Sequence, residues 1–229
     1  MSAAPRRRAS GHPFAADRVY AELRAQLLGG EIPAAERLTE HALAARFATS
    51  RTPVREALRR LEGDGHLERD SAGSLRASVP SVRSMRELYD VRMALEDLTA
   101  QRAASAGDRG VLEDLENRWT TLAATDPAGL LVEFVHEDEA FHDRVALASG
   151  NEFARRVLSE INDRIRPLRV HEFIVADRVS ETITEHREIL RAILAGEDLA
   201  AGAFMRAHIS RSALVVRTRM ADALARMSR

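Results

Sequence analysis

From Ser81 onward, apolar residues recur at three- and four-residue spacing, and no stretch alternates as a half-buried strand would. This pattern constrains the chain more than any other feature, because it leaves most of its length only helices to fold with. Breaks fall at Gly107-Asp108, Asp126-Pro127-Ala128-Gly129, Ser149-Gly150-Asn151, Ala176-Asp177 and Gly196-Glu197-Asp198. They predict helices over 82–106, 108–125, 128–148, 151–172, 178–195 and 198–226, with Ser81 or Ser84 capping the first. Six helices with short connections make an antiparallel bundle able to enclose a central pocket. The aromatic content, seven Phe, two Tyr and one Trp, suits helices better than a β-rich fold.

The first 80 residues are punctuated differently. Val19, Leu23, Leu27 and Leu28 predict an amphipathic helix closed by Gly29-Gly30. Thr39 is placed to cap a short helix running to Phe47, and Ala48-Thr49-Ser50 leaves room only for a tight corner. A second helix then spans 52–63, with Thr52 as N-cap, Pro53 at the first helical position and an apolar stripe of Val54, Ala57, Leu58 and Leu61. Gly63-Asp64-Gly65 ends it, and His66–Asp70 and Leu75–Val79 read as two short strands around a turn. This is the order of a winged helix-turn-helix. The fold expected is therefore mainly α: a disordered basic arm over 1–16, a winged helix-turn-helix over 17–80, and a helical bundle over 81–229.

Charge gives the second helix its meaning. Arg51 and Arg55 crowd its positive N-terminal end, where acidic residues would be the stable choice. Cations belong there when an external anion completes the site, as when a recognition helix meets phosphates and guanine edges. The alternative is an ordinary amphipathic helix with a solvated arginine face. Residues 1–80 hold 13 Arg against 10 acids, while 81–229 hold 21 against 25, so the basic half carries the candidate DNA element. Every cation is Arg, and the absence of Lys excludes Schiff-base and P-loop lysines. There is no cysteine, so disulfides and thiolate metal sites are excluded. No apolar run approaches the ~20 residues of a bilayer span, and the basic arm lacks the apolar core of a secretory signal. No membrane partner and a cytoplasmic location are the expectation.

In the bundle, Asp138 and His142 are four residues apart on one helix, within reach of a common ion, while His186 and His208 lie on two later helices. One carboxylate and three imidazoles suit a divalent ion such as Zn, Ni, Mn or Fe. The bland alternative is packed or surface histidines, the reading given to His12, His66, His136 and His171.

The string Ser50-Arg51-Thr52-Pro53-Val54-Arg55-Glu56-Ala57-Leu58, with Leu38-Thr39-Glu40 and Leu43-Ala44 before it, resembles the DNA-binding domain of GntR-family transcription regulators. The resemblance implies that Ser50, Arg51, Thr52 and Arg55 contact DNA and that the wing near Gly73 reaches the minor groove. His41 stands where some relatives have a DNA-contacting arginine, and the wing, Asp70-Ser71-Ala72-Gly73, lacks the Arg or Lys often beside its glycine. Asp138-Glu139-Ala140-Phe141-His142, Asn151, Val91-Arg92-Met93-Ala94-Leu95-Glu96, Glu185-His186 and Ala207-His208 resemble the FCD ligand domain, named for the C-terminal domain of FadR, in its six-helix VanR-like form. That resemblance implies a metal held by Asp138, His142, His186 and His208. It also implies that Arg92 faces the pocket and pairs with an effector carboxylate, the alternative being a surface pair of Arg92 with Glu96.

The function expected is a homodimeric transcription regulator, most simply a repressor, that binds double-stranded operator DNA under control of a small carboxylate at the metal site. A metal that is structural or itself sensed, with another ligand, is the second reading. A metal-dependent enzyme is the third, and Glu139 is badly placed to serve it as a general base.

Overall fold

The computed structural model describes residues 12–33, 35–78, 81–131, 133–169 and 172–227. Most of the expected disordered arm and His171 lie outside them. The chain divides into two compact units, Met1–Val79 and Pro80–Arg229.

The first unit contains α1 (His12–Leu28), α2 (Glu40–Arg46), α3 (Arg51–Gly63), β1 (Leu67–Arg69) and β2 (Leu75–Ala77). The strands pair antiparallel with Glu68 opposite Arg76, and Leu38 bridges to Leu75. Val19 and Leu23 of α1 pack with Val54, Ala57 and Leu61 of α3, all fully buried, and Leu67 and Leu75 continue this core beneath the hairpin. Two expectations need correction. Residues 12–16, assigned to the disordered arm, belong to α1, and Ala16 is buried. The recognition helix starts at Arg51, so Ser50 rather than Thr52 is its N-cap and Pro53 sits at the third helical position. Pro is tolerated there because no N–H in the first turn has an intrahelical acceptor.

The second unit contains α4 (Val82–Ala106), α5 (Arg109–Ala123), α6 (Phe134–Ala148), α7 (Glu152–Arg169), α8 (Ala176–Leu194) and α9 (Asp198–Met227). Ser81 caps α4 by accepting from the Ser84 N–H at 3.1 Å. Trp119 of α5 anchors the core edge-on against Phe134 and Phe141 of α6, with ring centroids 5.9 and 5.2 Å away. α4 and α9 approach closely at Gly202, where an added Cβ would collide with the side chains of Asp97 and Gln101. The helix expected over 128–148 begins only at Phe134. Asp126 accepts from the Ala128 N–H at 3.0 Å and turns the chain through a short 3₁₀ segment, Pro127–Gly129, first. Among the described residues no helix is long and apolar enough to cross a membrane.

Candidate functional site: a reading helix and a buried histidine cluster

The corner between α2 and α3 is made by Ala48, whose φ of 48° is left-handed, while the Thr49 N–H closes back on the Ala44 carbonyl at 3.0 Å. This corner presents the start of α3 to solvent. Ser50, Arg51, Thr52 and Arg55 are all exposed, as are His41 and Gly73. The Ser50 hydroxyl makes no capping bond, and no acid occupies the first turn of α3, so its N-terminal N–H groups and hydroxyls face outward without an internal anion. Arg55 is held sideways: its Nε and Nη2 donate to the two oxygens of Glu40 at 2.6 and 2.7 Å. That hydrogen bond pulls the Glu40 carboxyl below its usual range. Arg51 Nη2 lies 3.3 Å from His41 Nδ1, within hydrogen-bond reach of the ring. At the wing, Asp70 Oδ1 accepts from the N–H groups of Ala72 and Ser74 at 3.0 and 2.9 Å, and Gly73 takes a φ of +76°. Arg69, on β1, donates to the Gly73 carbonyl at 3.0 Å. The wing thus carries an arginine supplied by its strand, which a search beside the glycine alone misses.

In the second unit, Asp138 and His142 of α6, His186 of α8 and His208 of α9 come together with one potential ligand atom each, all within 4.8 Å of one another. All four side chains are buried. His208 Nε2 lies 3.2 Å from His186 Nε2 and 3.3 Å from His142 Nε2; the Asp138 oxygens lie 3.5 Å from His142 Nε2 and 3.7 Å from His186 Nε2. Ligand atoms about 2.0–2.2 Å from one ion sit roughly 3–3.5 Å from each other, so these four separations are close to those around a single divalent ion, and a small inward shift of the set would complete it. The supporting groups fit as well. Glu96 accepts from His142 Nδ1–H, and Glu185 accepts from His208 Nδ1–H at 2.6 Å, which turns both Nε2 lone pairs toward the centre. Asp138 Oδ1 has no hydrogen-bond partner, leaving an orphaned acceptor that a cation would satisfy.

Electrostatics favour the metal-binding protonation states of His186, His142 and Asp138. Burial pushes His186 well below the usual imidazole range, and the neighbouring His208 adds to this. Burial also lowers His142, against the opposing pull of Glu96. Burial alone would raise Asp138, yet the Arg169 guanidinium beside it holds it well below the carboxylate range. Glu96 reaches about 2 because His142 and Arg92 outweigh its desolvation. Neutral imidazoles and ionised carboxylates are the forms a metal needs.

Arg92 does pair with Glu96, at 2.7 Å, but the pair is buried and not at the surface, and both Arg92 Nη atoms lack a partner. Asn151 caps α7, accepting from the Ala154 N–H at 3.1 Å, and stands apart from the cluster. Glu139 is tied to Arg166 at 2.9 Å. Three partners of the cluster escaped the sequence reading: Arg169, whose Nη2 donates to Asp138 Oδ2; Glu172, which accepts from Ser212 at 2.9 Å; and Arg178, which joins Glu172 to Glu185 at 3.1 and 3.3 Å. Their only signal was a run of charged residues where α7 ends and α8 begins.

A winged helix-turn-helix with exposed arginines at the start of its second helix, followed by a helical unit with a buried Asp/His cluster, is an architecture suited to a transcription regulator. The sequence matches the bacterial regulatory proteins of the gntR family over residues 15–77 and the FCD domain over residues 87–211. It is 32% identical over 182 residues to the Nta operon transcriptional regulator of Aminobacter aminovorans, covering 77% of this chain and 82% of that protein. It is 26% identical over 144 residues to the gluconate operon transcriptional repressor of Bacillus subtilis, covering 63% and 59%. The fold resembles that of McbR/YncC from E. coli, with a TM-score of 0.74 at 20% identity over 90% of this chain and 98% of that one. The chain belongs to the GntR family and carries an FCD domain; its relatives are transcriptional regulators and not enzymes.

Proposed function

We propose that this regulator binds a near-palindromic operator as a homodimer, and that a small carboxylate acting at a divalent ion in the second unit releases it. Ser50, Arg51, Thr52 and Arg55 read or anchor the DNA, with His41 beside them and Gly73 at the minor groove. Asp138, His142, His186 and His208 hold the ion, and Zn suits the three-nitrogen, one-oxygen set. The ion supplies an electrophilic point for a carboxylate, while Arg92 offers its outer edge to the same anion. The effector favours the dimer state with lower operator affinity, and differential binding of that kind is the whole of the coupling. Repression relieved by ligand is the sign adopted here, as the gluconate operon relative is named a repressor.

The observation that carries this reading is the pair of unpartnered Arg92 nitrogens close to a cluster whose imidazoles are already aimed at one point. The experiment is a thermal-shift screen of small carboxylic acids on metal-loaded and chelated protein. Stabilisation by a carboxylate that vanishes on chelation is the expected result. The complete burial of all four ligand residues favours a second reading, a structural ion with the effector elsewhere. Under that reading His208→Ala unfolds the second unit, whereas the first predicts a folded protein that no longer responds to the carboxylate.

A further inference from the structure

The packing of α4 against α9 is tight at one end and open at the other. Gly202 lets α9 close on Asp97 and Gln101, and beyond it Ser105 reaches Asp198 at 3.4 Å. Toward the start of α4 and the later turns of α9 the two helices leave a groove of about 480 Å³, within the range of small-molecule sites. Val82, Met85, Tyr89 and Met93 line it from α4, and Leu214 and Met220 from α9. Val82 and Met93 are separated by about 16 Å of helix, so the groove is elongated. Val82 and Leu214 are large apolar side chains left 44% and 52% exposed. The Tyr89 hydroxyl is spent on Ser212 at 3.1 Å, so its ring closes the floor without offering a polar atom. Methionines at three places let such a floor adapt its shape to what lies on it.

The rim supplies charge. Arg86, Asp90, Arg211 and Arg217 border the groove. Arg211 is already met by Glu185 at 2.7 Å, and just outside the rim Arg83 and Glu87 cancel each other at 2.9 Å. Arg86, Asp90 and Arg217 make no ion pair among the described residues. Two guanidinium groups against one carboxylate leave one positive charge beside an apolar floor. A single anionic head balances that charge, and a second overshoots it. Because the rim is exposed, the charge selects the ligand with a modest gain, while the apolar body supplies most of the affinity.

We infer that the α4–α9 groove is a second ligand site, separate from the Asp/His cluster, for an elongated apolar molecule that carries one anionic head. None of the lining residues belongs to the cluster, so the site stands whether or not a metal or a small carboxylate binds there. The test titrates the full-length, metal-loaded protein with octanesulfonate, octanesulfonamide and butanesulfonate, since a sulfonate is a poor metal ligand and leaves the cluster alone. Octanesulfonate binds about fivefold more tightly than the sulfonamide, although the sulfonamide is the more apolar of the two. It binds at least about thirtyfold more tightly than butanesulfonate, which has four fewer methylenes to bury. In Arg86→Gln/Arg217→Gln the preference for the sulfonate over the sulfonamide disappears, while sulfonamide affinity stays as it was. Leu214→Glu, which puts a like charge on the α9 wall, weakens octanesulfonate by at least about tenfold and decides the location even where the double variant fails to fold. Sulfonamide binding as tight as sulfonate binding, no gain with chain length, or wild-type octanesulfonate affinity in either folded variant overturns the inference. So does failure of all three compounds to bind, which leaves the metal-site reading untouched.

Discussion

Arg55 meets Glu40 at 2.6 Å in the first unit, and Arg92 meets Glu96 at 2.7 Å in the second, but the Arg55 side chain is 54% exposed and the Arg92 side chain 0%. Chemically the two pairs are alike. Energetically they are opposites. In water an arginine gains little from its carboxylate and can leave it for a phosphate or a guanine edge at small cost. Inside the bundle neither partner has water to fall back on, so each holds the other in its charged form and the pair fixes the geometry around it. The first unit keeps its functional groups loosely paired and outward, as a surface that must exchange partners requires. The second locks its groups inward, as a site that must keep one shape requires.

The comparison breaks most visibly if the two glutamates are removed. Glu96→Ala strands Arg92 and takes the acceptor from His142 Nδ1, both fully buried. Loss of one partner of such a pair costs about 3–5 kcal/mol, read as a shift in the denaturant midpoint of the second unit. Glu40→Ala leaves the midpoint of the first unit almost where it was. A small effect at Glu96 would show that water reaches this pair.

Arg55→Ala gives the converse result. Folding is unchanged, and specific operator affinity falls on the order of tenfold to a hundredfold if Arg55 reads a base. Affinity for unrelated DNA falls far less. An equal loss on every sequence would make Arg55 a phosphate contact only.

Acid separates the two units by pH window. His186 and His142 have folded pKa values below the ordinary 6.5, so above that pH both states are neutral and no stability is lost. As the pH falls below 6.5 the unfolded chain takes up protons that the fold refuses, and the second unit weakens, most of all without metal. In the first unit the lowered groups are carboxylates, Glu40 and Asp70, with ordinary values of 4.5 and 3.8. Their contribution is intact above those values and is lost only as the pH falls through the lower folded ones. Scanning metal-free protein from pH 7.5 to 5 should therefore shift the second unit's melting while leaving the first unit's nearly constant. Parallel shifts would sink the assignment.

The same contrast explains what could be read from the sequence. Helix spacing and Gly/Pro breaks are local, and they placed the helices to within a few residues except at 128–133, where the Asp126 side chain turns the chain before a helix can start. Asp138 and His142 share one helix face, so their proximity follows from periodicity; that His186 and His208 join them follows from packing, and resemblance supplied it in advance. Arg169 could not be anticipated, because its partner Asp138 is 31 residues away and nothing in periodicity links the end of one helix to the middle of another. The burial of Arg92 was hidden for a related reason: an i, i+4 Arg–Glu pair looks the same in sequence on a wet face as on a dry one.

Ala48 offers the smallest and most local probe of the contrast. Its φ of 48° belongs to the left-handed region, where a Cβ crowds the following carbonyl, and the neighbouring hydrogen bond from Thr49 N–H to the Ala44 carbonyl is the helix-ending pattern in which glycine is usual. Ala48→Gly removes that crowding but also loosens the unfolded chain, and the two effects oppose each other. Relief of left-handed strain is worth roughly 1–2 kcal/mol, and the added freedom of glycine returns about 0.4–1 of it. The first unit should therefore gain stability by a few tenths to about 1 kcal/mol, with the second unit's melting unmoved. Operator affinity should stay the same, because the corner aims α3 through its backbone and that backbone is what glycine accommodates without change. A gain in stability accompanied by weaker DNA binding would mean that the strain at Ala48 helps to hold the reading helix at its working angle.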